Sequence, residues 1–305
     1  MGYFQYDFIV KNNKYEHNPV VLADDELDSW WYLQKTGSGN LDGSMSLSSS
    51  TVKSGNESLL LSIVSGSYDG IHLCKDFSTA QDWSSYDFYC YWLKGAGTGK
   101  IIDTRIWTPN TNNEAHYSIE DDTENWKWVV IPLRVYSTIE GTFDLSNVQA
   151  LRISIWQAQA WSPTKTLFFD RFLLDVGRWV DLELYVPDNL ASYPNSYMEL
   201  WSWSGSEWVK FCEWHGDGVY LCNDIYTTDG WSLKSVFDFL PVEVYPQDEY
   251  GETVEGIRGL RSITYSQKYG TRYRVGFSLY MPPRKSIKLR LRCNFQVTEV
   301  ASLNV

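Results

Sequence analysis

The chain has 305 residues, 43% hydrophobic and 16% aromatic, with 15 Trp and 21 Tyr. That length holds two ordinary domains with packed cores, and so many aromatics exclude wholesale disorder. Lys plus Arg number 26 against 38 Asp plus Glu, a net charge of −12, which repels phosphate backbones and anionic bilayers and makes no nucleic acid and no membrane insertion the expectation.

The opening Met1-Gly2-Tyr3-Phe4-Gln5-Tyr6-Asp7 has neither the basic nor the apolar region of a signal peptide, and residues 1–17 are expected to form an N-terminal arm. No apolar run approaches membrane-spanning length. Period-two alternation then predicts strands at 59–64, 71–77, 86–93, 101–107, 115–119, 126–133, 150–156 and 166–176. Turn chemistry separates them, as in Ser54-Gly55-Asn56 and Ser67-Tyr68-Asp69-Gly70. Past Gly177-Arg178 the predicted strands are 180–186, 196–203, 207–214, 218–222, 272–280 and 286–297, with an acidic loop at 246–259. This rhythm predicts an all-β protein of two β-sandwich, jelly-roll-like domains, 18–177 and 178–305.

The late strand has a basic face of Lys288, Arg290 and Arg292 opposite Ile287, Leu289 and Leu291, and calls for an acidic neighbour. Five cysteines is an odd number. Cys74 and Cys90 fall in strands and are expected as buried thiols. Cys212 and Cys222 flank the Trp214-His215-Gly216-Asp217-Gly218 turn and face each other across a hairpin, where a disulfide or two thiols both fit.

Two carboxylates interrupt apolar runs: Asp25 in Leu22-Ala23-Asp24-Asp25-Glu26, and Asp170 in Phe168-Phe169-Asp170-Arg171-Phe172. A charge there is costly unless paired. Either a shared cation joins the two strands, or Asp170 caps a strand end or pairs with Arg171 or Arg178. Alternation also brings Arg105, Trp107, His116, Arg152 and Trp156 onto one side of three strands. Aromatic planes cover the C–H patches of sugars, at ~1.5–3 kcal/mol each when fully buried. Arg and His bond directionally to hydroxyls. The same residue types suit a subunit interface. Acidic pairs such as Asp121-Asp122 read as solvated turns, and no GxSxG, HExxH or phosphate loop occurs, so no enzyme is expected.

Further motifs fall in a recognisable order: Asp25 then Trp30, Lys53-Ser54-Gly55-Asn56-Glu57-Ser58-Leu59, Asp82-Trp83-Ser84-Ser85-Tyr86, Trp126-Lys127-Trp128-Val129-Val130-Ile131-Pro132-Leu133, Gly141-Thr142-Phe143-Asp144-Leu145-Ser146-Asn147-Val148, and Phe169-Asp170-Arg171-Phe172. With these, residues 18–177 resemble the family 11 carbohydrate-binding modules, β-glucan-binding jelly rolls of the wider galactose-binding-like class. The resemblance implies a structural Ca²⁺ held by Asp25, Asp170 and oxygens near Ser54 and Asn56, and a glycan or polysaccharide across a concave sheet. The chain departs from the family at the short 135–140 loop and at Ile71, where the family has an aromatic residue. The second domain resembles no family.

The expected function is a non-catalytic carbohydrate-binding or adhesion protein on a virion or extracellular surface, such as a tail or capsid decoration. One alternative is a structural virion protein that packs as a homo-oligomer or against other virion proteins. Another is an accessory module of a polysaccharide-degrading system.

Overall fold

A computed structural model describes residues 4–11, 19–24, 31–108, 113–159, 161, 164–187, 197–215, 218–222, 224–233, 240, 242–244, 257–263, 268–269, 272–294 and 299–303. Among these the fold is all-β, with no α-helix. The strands are Phe4–Lys11 (β1), Val20–Ala23 (β2), Tyr32–Ser48 (β3), Ser58–Ser65 (β4), Tyr68–Gln81 (β5), Phe88–Lys94 (β6), Ile101–Trp107 (β7), Glu114–Glu120 (β8), Trp126–Pro132 (β9), Thr138–Glu140 (β10), Val148–Trp156 (β11) and Lys165–Asp175 (β12). They continue with Arg178–Pro187 (β13), Tyr197–Trp203 (β14), Trp208–His215 (β15), Gly218–Cys222 (β16), Val242–Val244 (β17), Ile257–Arg258 (β18), Leu260–Ile263 (β19), Lys268–Tyr269 (β20), Arg272–Met281 (β21), Ser286–Cys293 (β22) and Glu299–Leu303 (β23).

The chain divides into a unit of His17–Val176 and a unit of Met1–Glu16 with Gly177–Val305. In the first, one continuous antiparallel ribbon runs β10-β8-β7-β11-β5-β3-β4-β12-β6-β9, with β2 added beside β12. Its two ends stack face to face. The Tyr91 hydroxyl of β6 lies 3.2 Å from Thr104 Oγ1 of β7, and Tyr117 of β8 donates to the Leu133 carbonyl just past β9. Between them Leu73, Ile102, Ile106, Leu151, Ile153 and Ile155 meet Tyr89, Tyr91, Leu93, Ile131, Phe169 and Phe172, all with no measurable exposure. Alternation drives this: each strand sends every second side chain inward.

Polar anchors hold the loops. Asp121, expected to be solvated, is fully buried. Its carboxylate accepts from the backbone N–H groups of Ala96, Gly97 and Thr98 and from the Thr98 hydroxyl at 2.6–3.3 Å. Gly95 permits this clasp, since a Cβ there would fall 1.8 Å from Asp121 Oδ1. Its neighbour Asp122 instead pairs with Lys127 at 2.5 Å.

In the second unit a sheet β1-β22-β14-β15-β16 lies in the same unit as the sheet β19-β21-β13-β23. Of the expected arm over 1–17, residues 4–11 are described. Residues 4–11 are a strand, paired with β22 along its whole length from Phe4↔Cys293 to Lys11↔Ser286. Its alternation explains the pairing. Asp7 receives both the Nε and Nη2 hydrogens of Arg290 at 2.8 Å, so the acidic neighbour of the basic strand is at the opposite end of the sequence. Ile287, Leu289 and Leu291 point the other way and are fully buried. Cys212 and Cys222 are ladder partners between β15 and β16.

Candidate functional site: a polar and aromatic sheet face

Six neighbouring strands of the first unit build one face. Register sets its rows. Tyr32, Cys74, Arg152, Arg105, His116 and Thr138 follow one another across β3, β5, β11, β7, β8 and β10. Gln34, His72, Ser154, Asp103 and Ser118 form the next row. Trp107, Glu114 and Glu140 form a third at the far strands. Arg105, Trp107, His116, Arg152 and Trp156 therefore share a face, opposite to the core-facing Ile102, Ile106, Ile153 and Ile155.

The charges on this face are tightly interlocked. Arg105 donates through Nε to Asp103 Oδ2 at 2.7 Å and through Nη1 to Glu114 Oε1 at 3.1 Å. His116 lies between the carboxylates, with Nδ1 3.6 Å from Asp103 Oδ1, and Nε2 3.3 Å from Glu114 Oε1 and 3.6 Å from Glu140 Oε1. The Trp156 indole N–H donates to Asp103 Oδ2 at 3.4 Å. The Asp103 and Glu114 carboxylates raise the His116 pKa to about 9, against the opposing effects of burial and Arg105. Burial pushes the carboxyls of Asp103 and Glu114 up, but His116 and Arg105 outweigh it and hold both below the usual range.

The two tryptophans are positioned by cations. The Arg152 guanidinium lies 3.8 Å from the Trp107 ring centre, and that of Arg105 lies 5.1 Å from the Trp156 ring centre. His72 meets Trp156 edge-on at 4.7 Å. Its Nδ1 is 2.9 Å from Ser154 Oγ and its Nε2 is 2.7 Å from Thr36 Oγ1. Burial lowers the His72 pKa to about 4, with Arg152 and Arg105 adding to the effect. Sequence reasoning did not single out His72, Glu114 or Glu140. A parity extension of 101–107 and 115–119 by one residue reaches Glu114, whereas Glu140 follows a loop whose length the pattern does not set.

Of the residues implied as calcium ligands, Asp170, Ser54 and Asn56 lie among the described residues. Asp170 is fully buried, and its Oδ2 accepts from the N–H groups of Lys53 at 2.7 Å and Ser54 at 3.0 Å. The Ser54 hydroxyl accepts from Arg171 at 3.1 Å. Calcium requires six to eight oxygens, and Ser54 meets the carboxylate as an amide donor. Asn56 lies in the loop just beyond, and Asp25 lies outside the described residues.

No protein-family model matches the chain, and no curated protein matches it. Among solved structures it is similar to the family 11 carbohydrate-binding module from Clostridium thermocellum in complex with a β-1,3-1,4-mixed-linked tetrasaccharide: 19% identity, TM-score 0.42, covering 52% of this chain and 95% of that one. The family 11 module of a cellulosomal cellulase of Clostridium thermocellum gives 17% identity and TM-score 0.41 over the same shares. An exo-β-agarase gives 14% identity and TM-score 0.40, covering 52% of this chain and 25% of that one. The first two are from the family that the sequence motifs resemble.

Proposed function

We propose that the chain is a non-catalytic carbohydrate-binding protein whose ligand lies across the Arg105–Trp156 face. The observation that carries this is the placement of Trp107 and Trp156 on one sheet face, each with an arginine against its ring and Trp156 also bonded to the Asp103 carboxylate. Rings fixed in advance lose little entropy on binding. At neutral pH Arg105, Arg152 and protonated His116 face Asp103, Glu114 and Glu140, so the centre of the face is close to electroneutral. That balance favours a neutral, hydroxyl-rich ligand over a polyanion. Asp103 and Glu114 both sit below the ordinary carboxyl range, and a glycosidase acid needs the reverse.

A glycan array with the wild type, Trp107→Ala and Trp156→Ala tests the reading. Binding lost in both variants supports it. No binding by the wild type, or binding retained in both variants, overturns it.

Display on a virion and homo-oligomerisation are finer parts of the proposal. Exposed Phe4 and Ile9 on the terminal strand β1 support association. Immunogold labelling of particles and light scattering test them. A calcium ion at Asp170 and Asp25 is a separate proposal, supported by the fully buried Asp170 carboxylate. CaCl₂ added to EDTA-treated protein should raise Tm by about 5 °C or more, and Asp25→Ala should abolish the rise. An unchanged wild-type Tm refutes it and leaves the Lys53 and Ser54 amides as the compensation.

A further inference from the structure

We propose that Glu114, His116 and Glu140 form a divalent metal site, of a type that suits Zn²⁺, at the edge of the polar face. It stands whether or not a sugar binds there.

The argument begins with the ladder. Glu114 and Glu140 are directly opposed partners on β8 and β10. Like charges so placed repel, which Arg105 and His116 offset in part and a metal ion between the carboxylates would offset further. The potential ligand atoms of Glu114, His116 and Glu140 all lie within 4.8 Å of one another. Two bonds of about 2.05 Å at a tetrahedral angle put neighbouring zinc ligands about 3.3 Å apart. His116 Nε2 stands 3.3 Å from Glu114 Oε1 and 3.6 Å from Glu140 Oε1, close to that separation.

Two further observations point the same way. The Glu114 side chain is only 6% exposed, yet its Oε2 has no hydrogen-bond partner. A buried carboxylate oxygen without a donor invites a cation. The surroundings also match what orients a metal-bound imidazole. Ligating histidines direct their second ring nitrogen at a carboxylate, and His116 Nδ1 faces Asp103 Oδ1 at 3.6 Å. Asp103 is itself held by Arg105 Nε and the Trp156 indole. Arg105 also holds Glu114 from behind through Nη1.

One imidazole and two carboxylates suit Zn²⁺ better than Ca²⁺, which prefers oxygen alone. Three protein ligands leave a fourth position for water or a ligand hydroxyl.

The test is calorimetric titration of tag-free, EDTA-treated full chain with ZnCl₂ at pH 8, without sugar. The wild type should bind one Zn²⁺ per chain. His116→Gln and Glu140→Gln should each weaken binding at least about tenfold, and Asp103→Asn should weaken it about 10–100-fold through misorientation of His116. Glu140 is more than half exposed on a three-residue strand, so Glu140→Gln leaves folding intact. Far-ultraviolet circular dichroism checks this. Saturable binding lost in the folded Glu140→Gln protein supports the site. No saturable Zn²⁺ binding by the wild type, or unchanged affinity in Glu140→Gln, overturns it.

Discussion

Acidification should destabilise the first unit through His72, and the effect can be isolated by substitution. The imidazole is 3% exposed, wedged between Thr36, Ser154 and Trp156. Its pKa falls from 6.5 to about 4 on folding, because burial disfavours the charged ring and Arg152 and Arg105 add to that. The sign follows. The unfolded chain takes up the proton first, so stability is complete above pH 6.5 and declines as pH falls toward 4. The full displacement corresponds to at most about 3.4 kcal/mol. Between pH 7 and pH 5 the loss is about 2 kcal/mol, or nearer 1 where solvent relaxes around the ring. His72→Gln keeps the size but does not titrate. It should cost about 1 kcal/mol at pH 7, for the hydrogen bond its shape does not reproduce. Below about pH 5 it should equal or exceed the wild type. Urea unfolding of both proteins at half-unit steps from pH 7.5 to 4.5 measures the difference directly, since carboxylates common to both cancel. A stability difference that stays constant with pH would refute the buried, neutral His72 described here.

Other substitutions probe the buried charges. Arg105→Ala should destabilise the first unit by about 3 kcal/mol in urea, because Asp103 and Glu114 lose a shared cation in a largely buried setting. Arg105→Lys should recover only part of this, since one ammonium cannot reproduce the two-pronged contact. Asp121→Asn should cost about 2–3 kcal/mol, because its amide would turn N–H groups toward the Ala96, Gly97 and Thr98 donors. Hydrogen exchange at those three amides should accelerate in the same variant.

The sequence made the strands legible where apolar and polar residues alternate. Residues 101–107 match β7, and the late basic strand matches the start of β22. The 17-residue β3 was invisible because its stretch from Thr36 to Ser48 is rich in Gly and Ser. The structure gives the reason for those glycines. A Cβ at Gly43 would lie 2.8 Å from the Ser62 carbonyl oxygen, and Gly37 has φ +69° with Asp69 pressed against it. Close backbone approach fixes the glycines, and they interrupt the apolar pattern even though Leu41, Met45 and Leu47 pack on the core in alternation with Asp42, Ser44 and Ser46. The pairing of β1 with β22 was hidden for another reason: local patterns carry no information about a partner some 280 residues away. Of the face, the period-two rule found the five residues on regular strands. It missed Glu140 because register across a loop depends on the loop's path, and it misjudged Asp121 because an acidic pair looks solvated until its amide donors are known.

The central claim is that the face carrying Trp107 and Trp156 binds sugar. Its most direct measurement is calorimetric titration of a glycan array hit into the wild type, Trp156→Ala and Trp201→Ala, the last a tryptophan on a sheet of the other unit. The account predicts that Trp156→Ala weakens binding at least about tenfold, from ~1.5 kcal/mol or more of lost aromatic contact, while Trp201→Ala binds as the wild type does. Equal affinity in the wild type and Trp156→Ala, or loss confined to Trp201→Ala, would contradict it.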